Sequence, residues 1–136
     1  MRVFLDANIL FSASNSFGAS ARVIDLLLAR AEGVTCEYAC EEARRNVELK
    51  RPAWSGGFAA LVLKIELAPT QVFALPVTLA SKDVPVLCSA IRSNCSYLVT
   101  NDKQDFGHLF GQAVQGVTII TLLQLAEILT DPTARL

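Results

Sequence analysis

The sequence is poor in the residues that usually build a metal site from nitrogen and sulfur ligands. It has one histidine, His108, and its four cysteines form no C-x-x-C pair. Cys36 and Cys40 are four residues apart and Cys88 and Cys95 seven, but no histidine accompanies either pair. We therefore expect the cysteines to be small buried apolar residues and His108 to be a surface or structural residue.

The sequence also lacks a long apolar run. Its best candidate, FAALVLKIEL, is interrupted by Lys64 and Glu66, whereas a transmembrane helix needs about 20 predominantly apolar residues. At the N-terminus, Asp6 and Asn8 interrupt what would be the apolar part of a signal peptide. We therefore expect no membrane segment and a cytoplasmic location.

Composition sets broad limits on the fold. The chain has 136 residues, of which 52% are hydrophobic and only 18% charged, and its net charge is -1. This length fits a single domain, residues 1–136, with an ample core. Bulk charge does not indicate a nucleic-acid-binding protein, and the apolar surplus suggests a surface that a partner chain covers.

The hydrophobic pattern alternates between strands and helices. Strands are predicted at RVFLD, VTCEYA, QVFALP, YLVT and GVTIIT, and helices at SARVIDLLLARAEG, CEEARRNVELK, WSGGFAALVLKIELAP, VPVLCSAIRSN and LLQLAEILTD. Ser20 is expected to cap the first of these helices and Gly33 to end it. This alternation, together with continuously apolar strands, predicts an α/β fold with a mostly parallel sheet.

Carboxylates follow two of the predicted strands. Asp6 ends the first strand, Asp102 follows YLVT, and Asp83 stands just ahead of a helix. In open α/β sheets, sites form beyond the carboxyl ends of the strands, so these side chains should meet at one edge. Glu41 and Glu42 lie on the helix after the second strand and can approach the same edge.

Several carboxylates at one edge repel one another and need a counter-charge. Mg²⁺ or Mn²⁺ fits because both prefer oxygen ligands, and such a site can activate water for attack on a phosphate. Each acid also has a plainer interpretation: Asp6 as a turn cap, Asp83 as a helix N-cap, Asp102 as a turn residue, and Glu42 as a solvated helix-face acid. Their joint placement favours the metal site.

Two segments resemble a known family. VFLDANIL is similar to the opening of PIN-domain ribonucleases, and KDVPVLCSAIRSNCSYLVTNDKQDFG resembles their second half, in which a strand ends in Thr-x-Asp-Lys-x-x-Phe. The resemblance covers residues 2–129. It implies a PIN-like three-layer α/β/α sandwich and a Mg²⁺- or Mn²⁺-dependent endoribonuclease. For many members of this size, it also implies a VapC-like toxin of a bacterial toxin–antitoxin pair, a homodimer bound by an antitoxin.

The resemblance also implies roles for individual residues. The family's four acids match Asp6, Glu42, Asp83 and Asp102, of which Asp6, Asp83 and Asp102 would ligate the metal. Supporting positions match Asn8, Thr100 and Asp105. Glu41 remains the alternative to Glu42, since adjacent helical residues point about 100° apart and only one can face the site. Asn101 stands where glycine is frequent, and we expect it to tolerate an unusual φ.

Basic residues near the predicted edge are candidates for holding the RNA backbone. When the four matched acids are set aside, the sequence has twelve basic residues and nine acidic ones. The RNA-binding candidates are Arg44, Arg45, Arg92 and Lys103, and Lys50 and Arg51 lie in the same segments. An ordinary solvated helix face remains the alternative for each.

Two other functions remain open. A PIN-like fold can be kept only for binding a partner, with weak catalysis, although the full acid set argues against this. A phosphatase of the haloacid-dehalogenase type also begins with a strand ending in Asp. It would need a second Asp where this chain has Asn8, so this class is disfavoured.

Overall fold

The computed structural model describes residues 1–133. The strands are β1 (Arg2–Leu5), β2 (Glu32–Cys36), β3 (Glu66–Ala68), β4 (Tyr97–Val99), β5 (Ala113–Val114) and β6 (Val117–Ile120). The α-helices are α1 (Ala7–Ala13), α2 (Ala19–Arg30), α3 (Glu37–Lys50), α4 (Ser55–Val62), α5 (Val84–Arg92), α6 (Lys103–Phe106) and α7 (Leu122–Thr130). Short 3₁₀ turns lie at Pro52–Trp54 and Gly107–Leu109.

The strands form one sheet in the order β3-β2-β1-β4-β6-β5. Every pairing is parallel except that of β5 with β6. From β1 the chain builds outward to β2 and β3, and then returns to place β4 on the other side of β1. The topological switch point of the sheet therefore lies between the carboxyl ends of β1 and β4, where α/β folds form their clefts.

Both faces of the sheet are covered by helices. Val3, Phe4 and Leu5 of β1 are all fully buried, and successive strand residues point to opposite faces. A strand buried on both faces reads as a continuous apolar run, which is why RVFLD is recognisable in the sequence. The predicted α/β architecture with a mostly parallel sheet is confirmed.

Two predicted elements between α3 and α5 are wrong. The segment WSGGFAALVLKIELAP is not one helix, because its end leaves α4 and forms β3, which pairs in parallel with β2. QVFALP is not a strand. Its backbone instead bonds to side chains of α5: Ser89 accepts from the Gln71 N–H, and the Cys88 thiol lies 3.4 Å from the Phe73 nitrogen.

Helix ends also differ from the predictions. Gly18, rather than Ser20, is the N-cap of α2, and Gly33 lies within β2 instead of ending the helix. At Gly33 a Cβ atom would lie 2.9 Å from the Ile65 side chain, so close packing is the reason for glycine there. Helix α1 was not predicted, since it continues the apolar run of β1 without a change of period.

The four cysteines and the single histidine lie where structural rather than metal-binding residues are expected. Cys36, Cys88 and Cys95 are buried free thiols, and Cys40 is partly exposed. His108 lies on the surface, with its Nε2 atom 2.8 Å from the Thr78 carbonyl oxygen. No helix in the described part of the chain has both the length and the apolar character needed to cross a membrane.

Gly57 allows α4 to pack directly against the end of α1, the helix that follows Asp6. A Cβ atom at Gly57 would lie 2.0 Å from the Ser14 carbonyl oxygen, whereas at the neighbouring Gly56 it would meet no atom within 4 Å. The two glycines of α4 thus differ in packing while sharing the same helical turn.

We expect Gly57→Ala to lower the free energy of unfolding by about 1–3 kcal/mol, because the two backbones must move apart. Gly56→Ala is the matched control and should raise it slightly, by at most about 1 kcal/mol, through helix propensity. Urea denaturation of the two variants measures both changes. Equal stability of the two variants would contradict the packing argument.

Candidate active site

Three polar side chains join the carboxyl ends of β1 and β4. The Thr100 hydroxyl donates to Asp6 Oδ2 at 2.8 Å, and Asn8 Nδ2 lies 3.2 Å from the same oxygen and 3.0 Å from Thr100 Oγ1. Asn8 Oδ1 accepts from the Asn101 N–H at 3.0 Å. These bonds fix the Asp6 carboxylate at the switch point of the sheet.

Asp6 is a charged group held inside the protein. Its side chain accepts from the Ala7 N–H at 2.7 Å at the start of α1, and the residue is only 4% exposed. Burial raises the pKa of Asp6 to about 6, against the opposing effect of the bonds from Thr100 and Ala7. The nearby charges of Glu42 and Asp102 raise it further.

A second group of carboxylates lies beside Asp6. One carboxylate oxygen each of Asp83, Asp102 and Asp105 lies within 4.8 Å of the other two. Asp83 precedes α5, yet its side chain makes no capping hydrogen bond, so the simple N-cap interpretation does not hold. Asp102 does cap α6, accepting from the Asp105 N–H at 3.0 Å.

Asp83 has an oxygen that lacks a partner. The residue is buried, and within residues 1–133 its Oδ2 atom has no hydrogen-bond donor. Burial and the neighbouring Asp105 carboxylate raise the pKa of Asp83 to about 7. Hard divalent cations bind to several carboxylate oxygens, and a buried oxygen without a partner is available as a ligand. These residues therefore fit a Mg²⁺ or Mn²⁺ ion.

Lys82 partly neutralises this group. Its Nζ atom is 2.9 Å from Asp105 Oδ2, and this contact holds the pKa of Asp105 below its usual value. Tyr38 of α3 donates from its hydroxyl to the Lys82 carbonyl oxygen at 2.7 Å. The start of α5, and with it Asp83, is thereby tied to α3.

Helix α3 adds a further acid to this cleft. Glu42 lines a cleft of about 370 Å³ above the carboxyl ends of β1 and β4. Glu41 points elsewhere and accepts from Arg44 Nε at 2.9 Å on the outer surface of the helix. The cleft is lined by Asp6, Asn8, Phe11, Glu42, Asn46, Lys50, Lys82, Asp83, Asn101 and Asp102.

The four basic candidates for RNA contact lie outside this cleft lining. Arg44 is paired with Glu41 and Glu48 and lines a separate groove between α3 and α4. Arg45 is exposed on α3. Arg92 lies at the far end of α5 from Asp83, with its guanidinium 4.6 Å from the Phe73 ring centroid. Lys103 lines a groove with α2 and α7 residues.

Several cleft residues were not singled out in the sequence. Asn46 follows Glu42 by four residues and so shares its helix face, a signal that helical spacing could have supplied. Phe11 follows Asn8 by three residues on α1, so these two residues also share a helix face. Lys82 gives no periodic signal, because it lies in an irregular segment.

Asn101 was expected to adopt an unusual φ, but its role in the structure is to form hydrogen bonds. Its φ is not positive, since the non-glycine residues with positive φ in the described chain are Asn94 and Gln115. Instead, Asn101 Oδ1 accepts from the N–H of Leu122, the first residue of α7, at 3.1 Å, beside the Thr121 N-cap. The turn after β4 is thus bonded to both α1 and α7.

Comparison with models of known protein families finds no match to this sequence, and comparison with curated proteins finds none either. Solved structures do match. VapBC2 from Rickettsia felis, bound to a DNA fragment from its promoter, aligns with a TM-score of 0.64 at 16% identity, covering 89% of this chain and 98% of that one.

Two further solved structures are similar. VapC20 of Mycobacterium tuberculosis, a Sarcin-Ricin loop cleaving toxin, aligns with a TM-score of 0.58 at 10% identity, covering 82% of this chain and 98% of that one. FitAB bound to an IR36 DNA fragment aligns with a TM-score of 0.60 at 13% identity, covering 88% and 94%.

These similarities define the fold of the chain. It is a PIN-like α/β/α fold, as the resemblance in its sequence implied. At identities of 10–16% the likeness shows the fold and leaves the activity to the residues of the cleft.

The raised pKa of Asp83 predicts a pH-dependent gain of stability in Asp83→Asn. Between about pH 4 and 7 the folded protein holds a proton that the unfolded chain has released, so stability falls as pH rises through this window. Replacing the carboxyl with an amide removes that cost. At pH 8 we expect the variant to be roughly 1–3 kcal/mol more stable than the wild type, with the gain shrinking toward pH 4.

Chemical denaturation in EDTA across pH 4–8 measures this difference. Asp25→Asn, the same change on the exposed surface of α2, is the control and should show no such pH dependence. A gain of equal size at pH 4 and pH 8, or a loss at pH 8, would contradict the interpretation of the Asp83 site.

Proposed function

We propose that the protein is a metal-dependent endoribonuclease that hydrolyses RNA phosphodiester bonds. The observation that supports this most directly is the buried Asp83 Oδ2 atom, which has no hydrogen-bond partner within residues 1–133 and lies beside the carboxylates of Asp102 and Asp105. Asp83 and Asp102 line the same open cleft as Asp6, beyond the carboxyl ends of β1 and β4, and such a cleft would admit a substrate.

In this proposal Asp83 and Asp102 hold Mg²⁺ or Mn²⁺ together with Asp6, which lines the same cleft. Asp105 lies in the same group of carboxylates but is paired with Lys82, and we therefore keep it as a peripheral residue. When bound, the cation supplies the charge that activates water and neutralises the charge developing on the phosphate. Thr100 and Asn8 keep Asp6 in one orientation through the bonds described above. A site with this chemistry needs no side-chain nucleophile.

Glu42 completes the acid set from α3. Its carboxylate lines the same cleft as Asp6, and its charge raises the pKa of that group, so the two are electrostatically linked. Glu41 is turned away toward Arg44. We therefore assign Glu42, rather than Glu41, to the site.

We also propose that the protein is the toxin of a type II toxin–antitoxin pair and that an antitoxin binds it. Two of the similar structures, VapBC2 and FitAB, are complexes bound to DNA. Large apolar side chains on the surface of this chain support a protein partner, among them Leu63, 88% exposed, and Leu123, 70% exposed. A homodimer and a cytoplasmic location remain predictions.

The adjacent glutamates of α3 provide a matched test of the site. Glu42→Gln should lower Mn²⁺- or Mg²⁺-dependent RNA cleavage by roughly 10–100-fold, the usual cost of losing a supporting group in a metal site. Glu41→Gln should leave cleavage within about twofold of the wild type, because its carboxylate belongs to a surface ion pair of small worth. Initial cleavage rates of a fluorescent RNA measure both.

Asp102→Asn extends the same experiment. It should abolish cleavage and also abolish the thermal stabilisation by Mn²⁺ that we expect for the wild type, since binding to the folded state alone raises stability. Loss of activity in Glu41→Gln but not in Glu42→Gln would refute the assignment. Turnover of p-nitrophenyl phosphate without RNA cleavage would refute the nuclease itself.

A further inference from the structure

An aromatic pair lies at one end of the acidic cleft. Phe11 lines the cleft from α1, and its ring centroid is 5.2 Å from that of Trp54, with the two planes tilted by 48°. Both rings pack against the core on one side and are partly exposed on the other. The cleft therefore borders aromatic surface through Phe11, against which Trp54 packs.

Two cations adjoin this pair at the end of α3. The Arg51 guanidinium carbon lies 5.5 Å from the Trp54 ring centroid, and Lys50 lines the cleft itself. Both residues are exposed, and neither forms an ion pair with any of residues 1–133. Arg44, on the same helix, is by contrast bound to two glutamates.

This combination matches the chemistry of an unpaired nucleotide. Single-stranded nucleic acids bind by stacking bases on aromatic rings and arginine planes while cationic side chains hold the phosphates. A duplex keeps its bases stacked inside and cannot offer them to a ring. An aromatic pair beside two cations that form no ion pair within residues 1–133, next to an acidic cleft, supplies both kinds of contact.

We propose that Phe11, Trp54, Lys50 and Arg51 form a binding subsite for one unpaired nucleotide beside the acidic cleft. The base lies against the aromatic rings, and its phosphate lies against the two cations. This inference rests on the proposed function, because it takes the ligand of the cleft to be RNA.

The protein carries its own probe for this contact. Trp54 is the only tryptophan in the chain, so its fluorescence reports on the subsite alone. Titration with a short single-stranded RNA in EDTA, which prevents cleavage, should give a saturable loss of Trp54 emission. The same sequence as a duplex should give a much smaller loss. Binding that leaves the emission unchanged, detected by anisotropy of labelled RNA, would overturn the proposal.

Variants separate stacking from charge. Phe11→Leu should weaken binding of the labelled RNA by roughly 5–150-fold, the range for losing one base–aromatic contact. Lys50→Gln and Arg51→Gln should each reduce the slope of log affinity against log salt by about 0.7. Lys64→Gln makes the same charge change in the pocket between α2 and α4 and is the control. It should bind RNA with the salt slope and the loss of Trp54 emission of the wild type.

Failure of this subsite is distinguishable from failure of the nuclease. The subsite alone would be overturned if the wild type cleaved RNA while all three subsite variants bound it with normal affinity and salt dependence. The two rings would then serve only to pack against the core. Loss of Trp54 emission by the wild type without any cleavage in Mg²⁺ or Mn²⁺ would support the subsite and refute the proposed hydrolysis. The emission assay measures binding and the cleavage assay measures hydrolysis, so each proposal can fail independently of the other.

Discussion

The hydrogen bond from Thr100 to Asp6 is the interaction on which the rest of the cleft depends. It joins the ends of the two central strands, and Asn8 reinforces it by bonding to both side chains. The Asp102 N–H bonds to the same Thr100 oxygen at 3.2 Å. One hydroxyl group therefore bonds to both Asp6, which follows β1, and Asp102, which follows β4.

This arrangement stores unfavourable charge in the folded protein. Burial raises the pKa of both Asp6 and Asp83 to near neutrality, and one Asp83 oxygen lacks a partner within residues 1–133. Lys82 pairs directly with Asp105 and only partly offsets the effect of burial on Asp83. A fold stabilised by this many apolar side chains tolerates such a cost, and a divalent cation would convert it into binding energy.

The sequence was informative where the signal was local. Strands β1 and β4 and helix α5, which carry Asp6, Asp102 and Asp83, are recognisable from apolar runs, a proline in the first turn and their order along the chain. Strand β3 was missed because its three residues look like the end of a helix, and only pairing with β2 makes them extended. The lysine that contacts Asp105 lies in an irregular segment, where no pattern predicts position.

Anomalous X-ray diffraction from crystals soaked in Mn²⁺ would test the metal site directly. We expect one or more manganese peaks coordinated by the carboxylates of Asp6, Asp83 and Asp102, with Asp83 Oδ2 among the ligands. Manganese bound elsewhere, or no peak between these carboxylates at saturating Mn²⁺, would contradict the proposed centre and the hydrolysis that depends on it.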